Sequence, residues 1–171
     1  MVKKILMFVG SLIVLAGIVI GGIWLRGYLA EKNAGQLYKD IQVEYGMDSM
    51  VELPTIELEE LENPIDFDTL TAKYPDVYAW IYIPGTNVNY PIVQREGDNA
   101  YYLTHTIEGK VKTEGSIYTE NYNSKDFSDA NTLIYGHNMK NGSMFAKLRE
   151  YKSKSFWKDN PYFYIYDALI S

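Results

Sequence analysis

Residues 77–94 read VYAWIYIPGTNVNYPIVQ, and this stretch gives the strongest indication of the fold. Aliphatic and aromatic side chains alternate over its first seven residues, which is the period of a β-strand with both faces at least partly covered. A Pro-Gly pair then marks a turn, and a second strand follows over 87–93. Pro91 favours an edge position or a bulge for that strand, because proline cannot donate a hydrogen bond to a neighbouring strand.

Shorter elements are predicted on both sides of this strand pair. Amphipathic spacing and capping residues predict helices over 34–45, 66–74 and 143–151, and short apolar runs predict strands over 115–119, 132–135 and 162–166. Short strands separated by turns, with few helices, favour a β-barrel or sandwich. We therefore expect a mainly β fold with short helices.

The amino terminus carries 21 consecutive uncharged residues, Ile5 to Leu25. As a helix they would extend roughly 31 Å, about the thickness of the hydrocarbon core of a bilayer. A cleaved signal peptide would have a shorter apolar core and small residues at its cleavage site, whereas Trp24 and Leu25 are bulky. We favour an uncleaved transmembrane signal-anchor. Two lysines before the run predict a cytoplasmic amino terminus and an extracytoplasmic carboxy-terminal domain.

The distribution of charge also distinguishes the amino-terminal segment from the rest of the chain. The net charge is −6, and residues 1–32 carry +3, which leaves −9 for the rest. An acidic domain of this kind is a poor nucleic-acid binder, so we expect no nucleic-acid partner. Residues 52–68 hold seven acidic and no basic residues, which is typical of a solvated linker. We expect an anchor over 1–32, a stalk with a short helix and an acidic linker over 33–64, and the folded domain over 65–171.

Few residues of the chain could carry chemistry. The sequence contains no cysteine, so it forms no disulfide and offers no thiol nucleophile. Of its two histidines, His137 follows the predicted strand 132–135 and a glycine, where side chains are commonly presented to a cleft. His105 lies among aromatic residues, where a structural role is the usual one. No metal-ligand spacing, phosphate-binding loop or Gly-x-Ser-x-Gly elbow is present, and we expect neither a metal nor a cofactor.

Two blocks of the sequence resemble the class B sortases. Residues 81–94, IYIPGTNVNYPIVQ, are similar to the start of the barrel in that family, and residues 126–145, DFSDANTLIYGHNMKNGSMF, are similar to its histidine region. The order of anchor, stalk, helix, strands and histidine also matches, over roughly residues 35–167. The resemblance implies a sortase-type β-barrel, incomplete here and preceded by one transmembrane helix.

The resemblance also implies an activity. Sortases cleave a carboxy-terminal sorting signal of secreted surface proteins after a threonine, through a thioester on a cysteine, and an amine of the cell-wall precursor resolves that thioester. His137 would be the acid/base histidine. Asn99, Leu103 and Tyr135 match residues that line the sorting-signal groove in class B enzymes. The implied partners are such surface proteins, the cell-wall precursor amine and membrane lipid.

The chain departs from the family in its catalytic groups. The family cysteine lies on a later strand and the oxyanion-stabilising arginine on the last one, whereas this chain ends at Ser171. Arg95 and Arg149 do not match the family arginine. We therefore interpret the 171 residues as an amino-terminal fragment that lacks activity. A membrane-tethered, non-catalytic module that binds sorting-signal peptides is the alternative, and a serine-dependent cell-wall hydrolase has no motif to support it.

Overall fold

The computed structural model describes residues 2–47 and 63–168 of the chain. Residues 48–62, which include the greater part of the predicted acidic stretch 52–68, lie outside the described residues. The chain divides into two compact units, residues 1–33 and residues 34–171.

The first unit consists of one helix, α1, Val2–Lys32. In the part of the chain that the structure describes, none of the helices combines the length and the apolar character that crossing a bilayer requires. The predicted transmembrane segment therefore has no support from the structure.

The second unit carries short helices around a sheet. Its described elements are, in chain order, α2 Gln36–Glu44, α3 Phe67–Lys73, β1 Val77–Ile83, β2 Val88–Val93, α4 Tyr101–Thr104, β3 Ile117–Thr119, β4 Ile134–Tyr135, a 3₁₀ helix Phe145–Lys152, α5 Lys154–Asp159 and β5 Tyr164–Asp167.

The described strands form one mixed sheet in the order β4-β3-β2-β1-β5. The pair β2 and β3 is parallel, whereas the other neighbours are antiparallel. β1 is buried on both faces except at Tyr82, which is partly exposed. The predicted combination of a β-sheet with short helices is confirmed.

The prediction for Pro91 is wrong, because β2 lies inside the sheet rather than at its edge. Pro91 pairs with Trp80 of β1, and the irregularity in that ladder lies between Val77 and Ala79 instead. The parallel pairing of β2 with β3 starts one residue later, at Ile92. Pro91 therefore precedes the part of β2 that pairs on that side, which is how an interior strand accommodates a residue without an N–H.

Helix α2 packs into the second unit through Tyr38 and Ile41, which are almost completely buried. The Tyr38 hydroxyl donates to the Gly115 carbonyl oxygen at 2.5 Å and lies 2.9 Å from Oγ of Ser116. Its ring meets that of Tyr90 edge to face, with centroids 5.5 Å apart. The helix that the sequence placed before the folded domain thus contributes to the core next to β3.

The helix ends differ in how they form. The Asp66 side chain caps α3 by accepting from the Thr69 amide at 3.0 Å, as its position before the helix predicts. The element predicted from Ser143 starts later, at Phe145, and is a 3₁₀ helix. Ser143 is not its cap, because its hydroxyl donates to Asn141 Oδ1 at 2.8 Å.

Candidate active site

His137 lies two residues beyond the end of β4, after Gly136. A Cβ at Gly136 would lie 2.4 Å from Cδ1 of Ile117 and 2.8 Å from Cδ2 of Phe145, closer than real Cβ atoms come. Glycine therefore allows the end of β4 to pack tightly against β3 and the 3₁₀ helix. The Phe145 amide donates to the His137 carbonyl oxygen at 2.9 Å, which fixes the backbone at the histidine.

The half-buried His137 ring contacts the backbone of a distant helix. Its Nε2 lies 2.7 Å from the carbonyl oxygen of Leu103, in α4. A carbonyl oxygen can only accept, so Nε2 carries the proton of this hydrogen bond. In the neutral ring Nδ1 is then the unprotonated nitrogen, and it is the atom able to accept a proton.

A carboxylate joins Tyr135 to Asn99. The Tyr135 hydroxyl donates to Oε1 of Glu120 at 2.7 Å, and the Asn99 side-chain amide donates to Oε2 of the same residue. Oδ1 of Asn99 accepts from the Asn121 amide at 2.6 Å. Both groups of the Asn99 side chain are therefore held, and its orientation is set by the chain just after β3.

Hydrogen bonds and two short stretches of the chain together connect all four predicted site residues in one closed circuit. Asn99 is linked through Glu120 to Tyr135, Tyr135 is two residues from His137, and His137 is bonded to Leu103. Leu103 is four residues from Asn99, across the start of α4. The structure thus brings the predicted histidine and the three predicted groove residues to one place.

The circuit lies at the surface of the second unit. Leu103 is 43% exposed and Tyr135 is 37% exposed, so both are open to a ligand. The Tyr135 ring stacks on that of Tyr118, with centroids 5.2 Å apart. The hydrogen bond to Glu120 raises the pKa of the Tyr135 phenol to about 12, which keeps it neutral. An imidazole, an amide, a phenol and an apolar side chain thus belong to this one part of the surface.

His105 is held in a different environment. Its Nδ1 lies 2.8 Å from the Tyr101 carbonyl oxygen, and its ring stacks on the Tyr101 ring with centroids 4.0 Å apart. The Arg95 guanidinium also lies over the Tyr101 ring, 3.8 Å from its centroid. These contacts favour a structural role for His105, in agreement with the sequence-based interpretation.

Glu120 is the member of this site that sequence reasoning missed. It stands directly after β3, in the run Thr119-Glu120-Asn121, where an acidic residue is most simply interpreted as a solvated strand end. The available signal was the position of Glu120 at the end of the short strand β3, which is the neighbour of the strand that precedes His137. That signal indicates a contact only once β3 and β4 are known to be neighbours.

Comparison with known proteins identifies relatives but no matching family model. No protein-family model matches the chain. Sortase B of Listeria monocytogenes is 47% identical over 88 residues, which cover 52% of this chain and 35% of that protein. Sortase B of Staphylococcus aureus is 28% identical over 156 residues, which cover 91% of this chain and 61% of that protein.

Solved structures agree with the sequence matches. Sortase B from Bacillus anthracis in complex with AAEK1 superposes with a TM-score of 0.66 at 28% identity, over 82% of this chain and 63% of that one. A Staphylococcus aureus sortase B–substrate complex gives a TM-score of 0.65 at 25% identity, over 81% and 61% of the two chains.

The mixed sheet with its short helices therefore defines a sortase-like domain. Within that class, the chain is similar in sequence and structure to the class B sortases, a family of cysteine transpeptidases. It spans between about a third and two thirds of the length of the relatives it matches, and its 171 residues include no cysteine.

Proposed function

We propose that the chain contributes the acid/base histidine and part of the peptide groove of a class B sortase-type transpeptidase site. In this proposal the site cleaves a sorting signal after threonine and attaches surface proteins to the cell wall. The observation that carries the proposal is the closed circuit that connects His137 with Asn99, Leu103 and Tyr135 at the surface. Groups spread over residues 99–137 become neighbours there.

The proposed role of His137 follows from its chemistry and position. Attack of a thiolate on the threonine carbonyl expels an amine, which leaves readily only when it is protonated. An imidazole can donate that proton near neutral pH and can later take one from the incoming amine. The hydrogen bond to the Leu103 carbonyl oxygen orients the ring for this exchange.

The groove residues provide complementary contacts for an extended peptide. Leu103 offers an exposed apolar side chain, whereas Asn99 and Tyr135 offer polar atoms at fixed positions. The Staphylococcus aureus relative has been solved as a substrate complex, which supports a peptide ligand for this part of the fold. We propose that the ligand is the sorting signal of a surface protein.

The 171 residues alone are proposed to be inactive in transpeptidation. They hold no thiol, and a positioned histidine cannot form a thioester intermediate by itself. We therefore propose that this chain provides peptide binding and acid/base chemistry but does not provide the nucleophile.

The proposals for the amine acceptor and for the cellular location rest on the sequence and the family resemblance alone. We propose an amine of the cell-wall precursor as the acceptor. The uncharged run Ile5–Leu25 is the basis for proposing contact with membrane lipid and an extracytoplasmic second unit. Extraction of membranes with alkaline carbonate tests this location, since a peripheral chain is released and an anchored one is retained.

Peptide binding tests the central part of the proposal. The 171-residue chain, purified in detergent, is titrated with a fluorescent threonine-containing sorting peptide, and anisotropy is recorded. Wild type should bind, and Leu103→Ala should weaken binding by about 5- to 30-fold, because a few buried methylenes are lost.

A matched control separates groove loss from general damage. Val111 is also an exposed aliphatic residue, 74% exposed, and it lies outside the circuit. Val111→Ala should leave the affinity unchanged. Absence of binding by wild type, or equal effects of the two substitutions, would contradict the proposed groove.

A further inference from the structure

We propose that Glu120 is a positioning residue that presents Asn99 and Tyr135 to one backbone peptide unit of the bound ligand. The inference rests on the proposed function and adds a residue that neither the sequence motifs nor the resemblance points to. It also specifies the kind of group that the two side chains bind.

The two carboxylate oxygens of Glu120 are used separately. Oε1 accepts the Tyr135 hydroxyl at 2.7 Å, and Oε2 accepts the Asn99 amide. Hydrogen bonds to a charged acceptor are stronger than neutral ones and set direction as well as distance. One side chain therefore fixes the orientation of two others that come from different parts of the chain.

The Glu120 backbone is itself held firmly. Its carbonyl oxygen accepts from Nε2 of Gln94 at 2.8 Å and from the Asn123 amide at 3.0 Å. Gln94 is buried, and its Nε2 also lies 3.3 Å from Oγ1 of Thr119, the last residue of β3. Because the Glu120 backbone is fixed, its side chain can hold Asn99 and Tyr135 in place before a ligand arrives. Ligand binding then costs these side chains little conformational freedom.

The contacts determine which polar atoms remain for a ligand. Because the Tyr135 hydroxyl donates its proton to Glu120, its oxygen can only accept from a ligand. Asn99 uses one amide hydrogen on Glu120 and keeps a second N–H, while its Oδ1 already accepts from Asn121. The pair thus offers one acceptor and one donor, which matches the N–H and C=O of a peptide unit.

The ionisable groups around the Tyr135 phenol also favour its role as a hydrogen-bond donor to Glu120. The groups that act on Tyr135 are Glu120, Tyr122 and Tyr118, and Glu120 acts most strongly through its hydrogen bond. All of them raise the pKa of the phenol. Tyr135 therefore stays protonated over the whole neutral pH range and continues to donate its hydrogen bond to Glu120.

The test substitutes Glu120 without changing its shape. In Glu120→Gln one of the two acceptor oxygens becomes an NH2 donor, so the side chain can no longer accept from both Asn99 and Tyr135, and the charge that holds the Tyr135 proton is lost. Peptide affinity, measured by anisotropy on the 171-residue chain, should fall by about ten- to a hundredfold. Glu150→Gln, an exposed residue of the 3₁₀ helix, is the matched control and should have no effect.

A second readout does not depend on peptide. Ring-labelled tyrosine followed by NMR, with the Tyr135 signal assigned through Tyr135→Phe, reports the phenol titration. In wild type the pKa should lie near 12, and Glu120→Gln should move it towards the ordinary value near 10. Glu150→Gln should leave it in place.

The outcomes separate this inference from the proposed function. An unchanged phenol titration in Glu120→Gln, or a shifted titration with unchanged peptide affinity, would overturn the role of Glu120 while leaving the groove intact. Failure of wild type to bind any sorting peptide would overturn the proposed function, and this inference with it. A coupled loss of affinity and fall in pKa would support both.

Discussion

Nε2 of His137 lies 2.7 Å from the carbonyl oxygen of Leu103, a residue 34 positions earlier in the chain. The contact joins the end of β4 to α4, and it gives the histidine a defined tautomer. Because the acceptor is a backbone atom, no substitution at Leu103 removes it. The side chain and the carbonyl of Leu103 can therefore be tested independently.

The first prediction concerns that tautomer. Nitrogen-15 NMR of the histidine rings at neutral pH should show His137 protonated at Nε2 and unprotonated at Nδ1 whenever the ring is neutral. Leu103→Ala should preserve this pattern while it weakens peptide binding. An Nδ1-protonated ring in wild type would contradict the contact, and a tautomer change in Leu103→Ala would show that the side chain controls it.

The second prediction concerns Gly136. An added Cβ there meets Ile117, which is fully buried, and the ring of Phe145, so neither neighbour can move away freely. Gly136→Ala should destabilise the second unit by about 1–3 kcal/mol through overpacking. It should also displace His137 and reduce peptide affinity.

Chemical denaturation measures this change. Gly27→Ala in α1 is the control, since an added Cβ there meets nothing within 4 Å. Equal unfolding midpoints for wild type and Gly136→Ala would show that the end of β4 is not tightly packed.

The third prediction concerns the attachment of α2. Tyr38→Phe removes a buried hydroxyl and leaves the Gly115 carbonyl oxygen without that donor. The free energy of unfolding should fall by about 1–3 kcal/mol. Tyr162→Phe, at a tyrosine that is 68% exposed, should change it by less than about 0.5 kcal/mol. Comparable losses in the two variants would argue against packing of α2 in the core.

The strand pair was predictable because its signals are local. Alternation from Val77 to Ile83 and the following Pro-Gly turn define β1 and the antiparallel β2 without reference to the rest of the chain. The interior position of Pro91 was not predictable in this way, because it depends on where β3 begins to pair. Helices α4 and α5, of four and six residues, are too short to show a periodic pattern.

The candidate site was predictable only in part, for a similar reason. His137 stands out by its position after a strand and a glycine, and the resemblance supplied Asn99, Leu103 and Tyr135. Their mutual contacts, and Glu120 between them, arise from strand order and from side chains that meet across 15 to 34 residues. Such contacts leave no spacing pattern in a single sequence.

Restoration of catalysis tests the central claim, that His137 is the acid/base group of a sortase-type site. The 171-residue chain is fused to the part of Staphylococcus aureus sortase B that follows the matched region, which is expected to supply the nucleophilic cysteine. Cleavage of a threonine-containing sorting peptide is then measured. The fusion should cleave it, and the 171-residue chain alone should not.

In that fusion, His137→Ala should lower the cleavage rate by about 10²- to 10⁴-fold, the usual contribution of a general acid/base. His105→Ala should retain most of the rate, because His105 is stacked on Tyr101 and is not part of the circuit around His137. A fusion that keeps its rate in His137→Ala, or turnover by the 171-residue chain alone, would contradict the account.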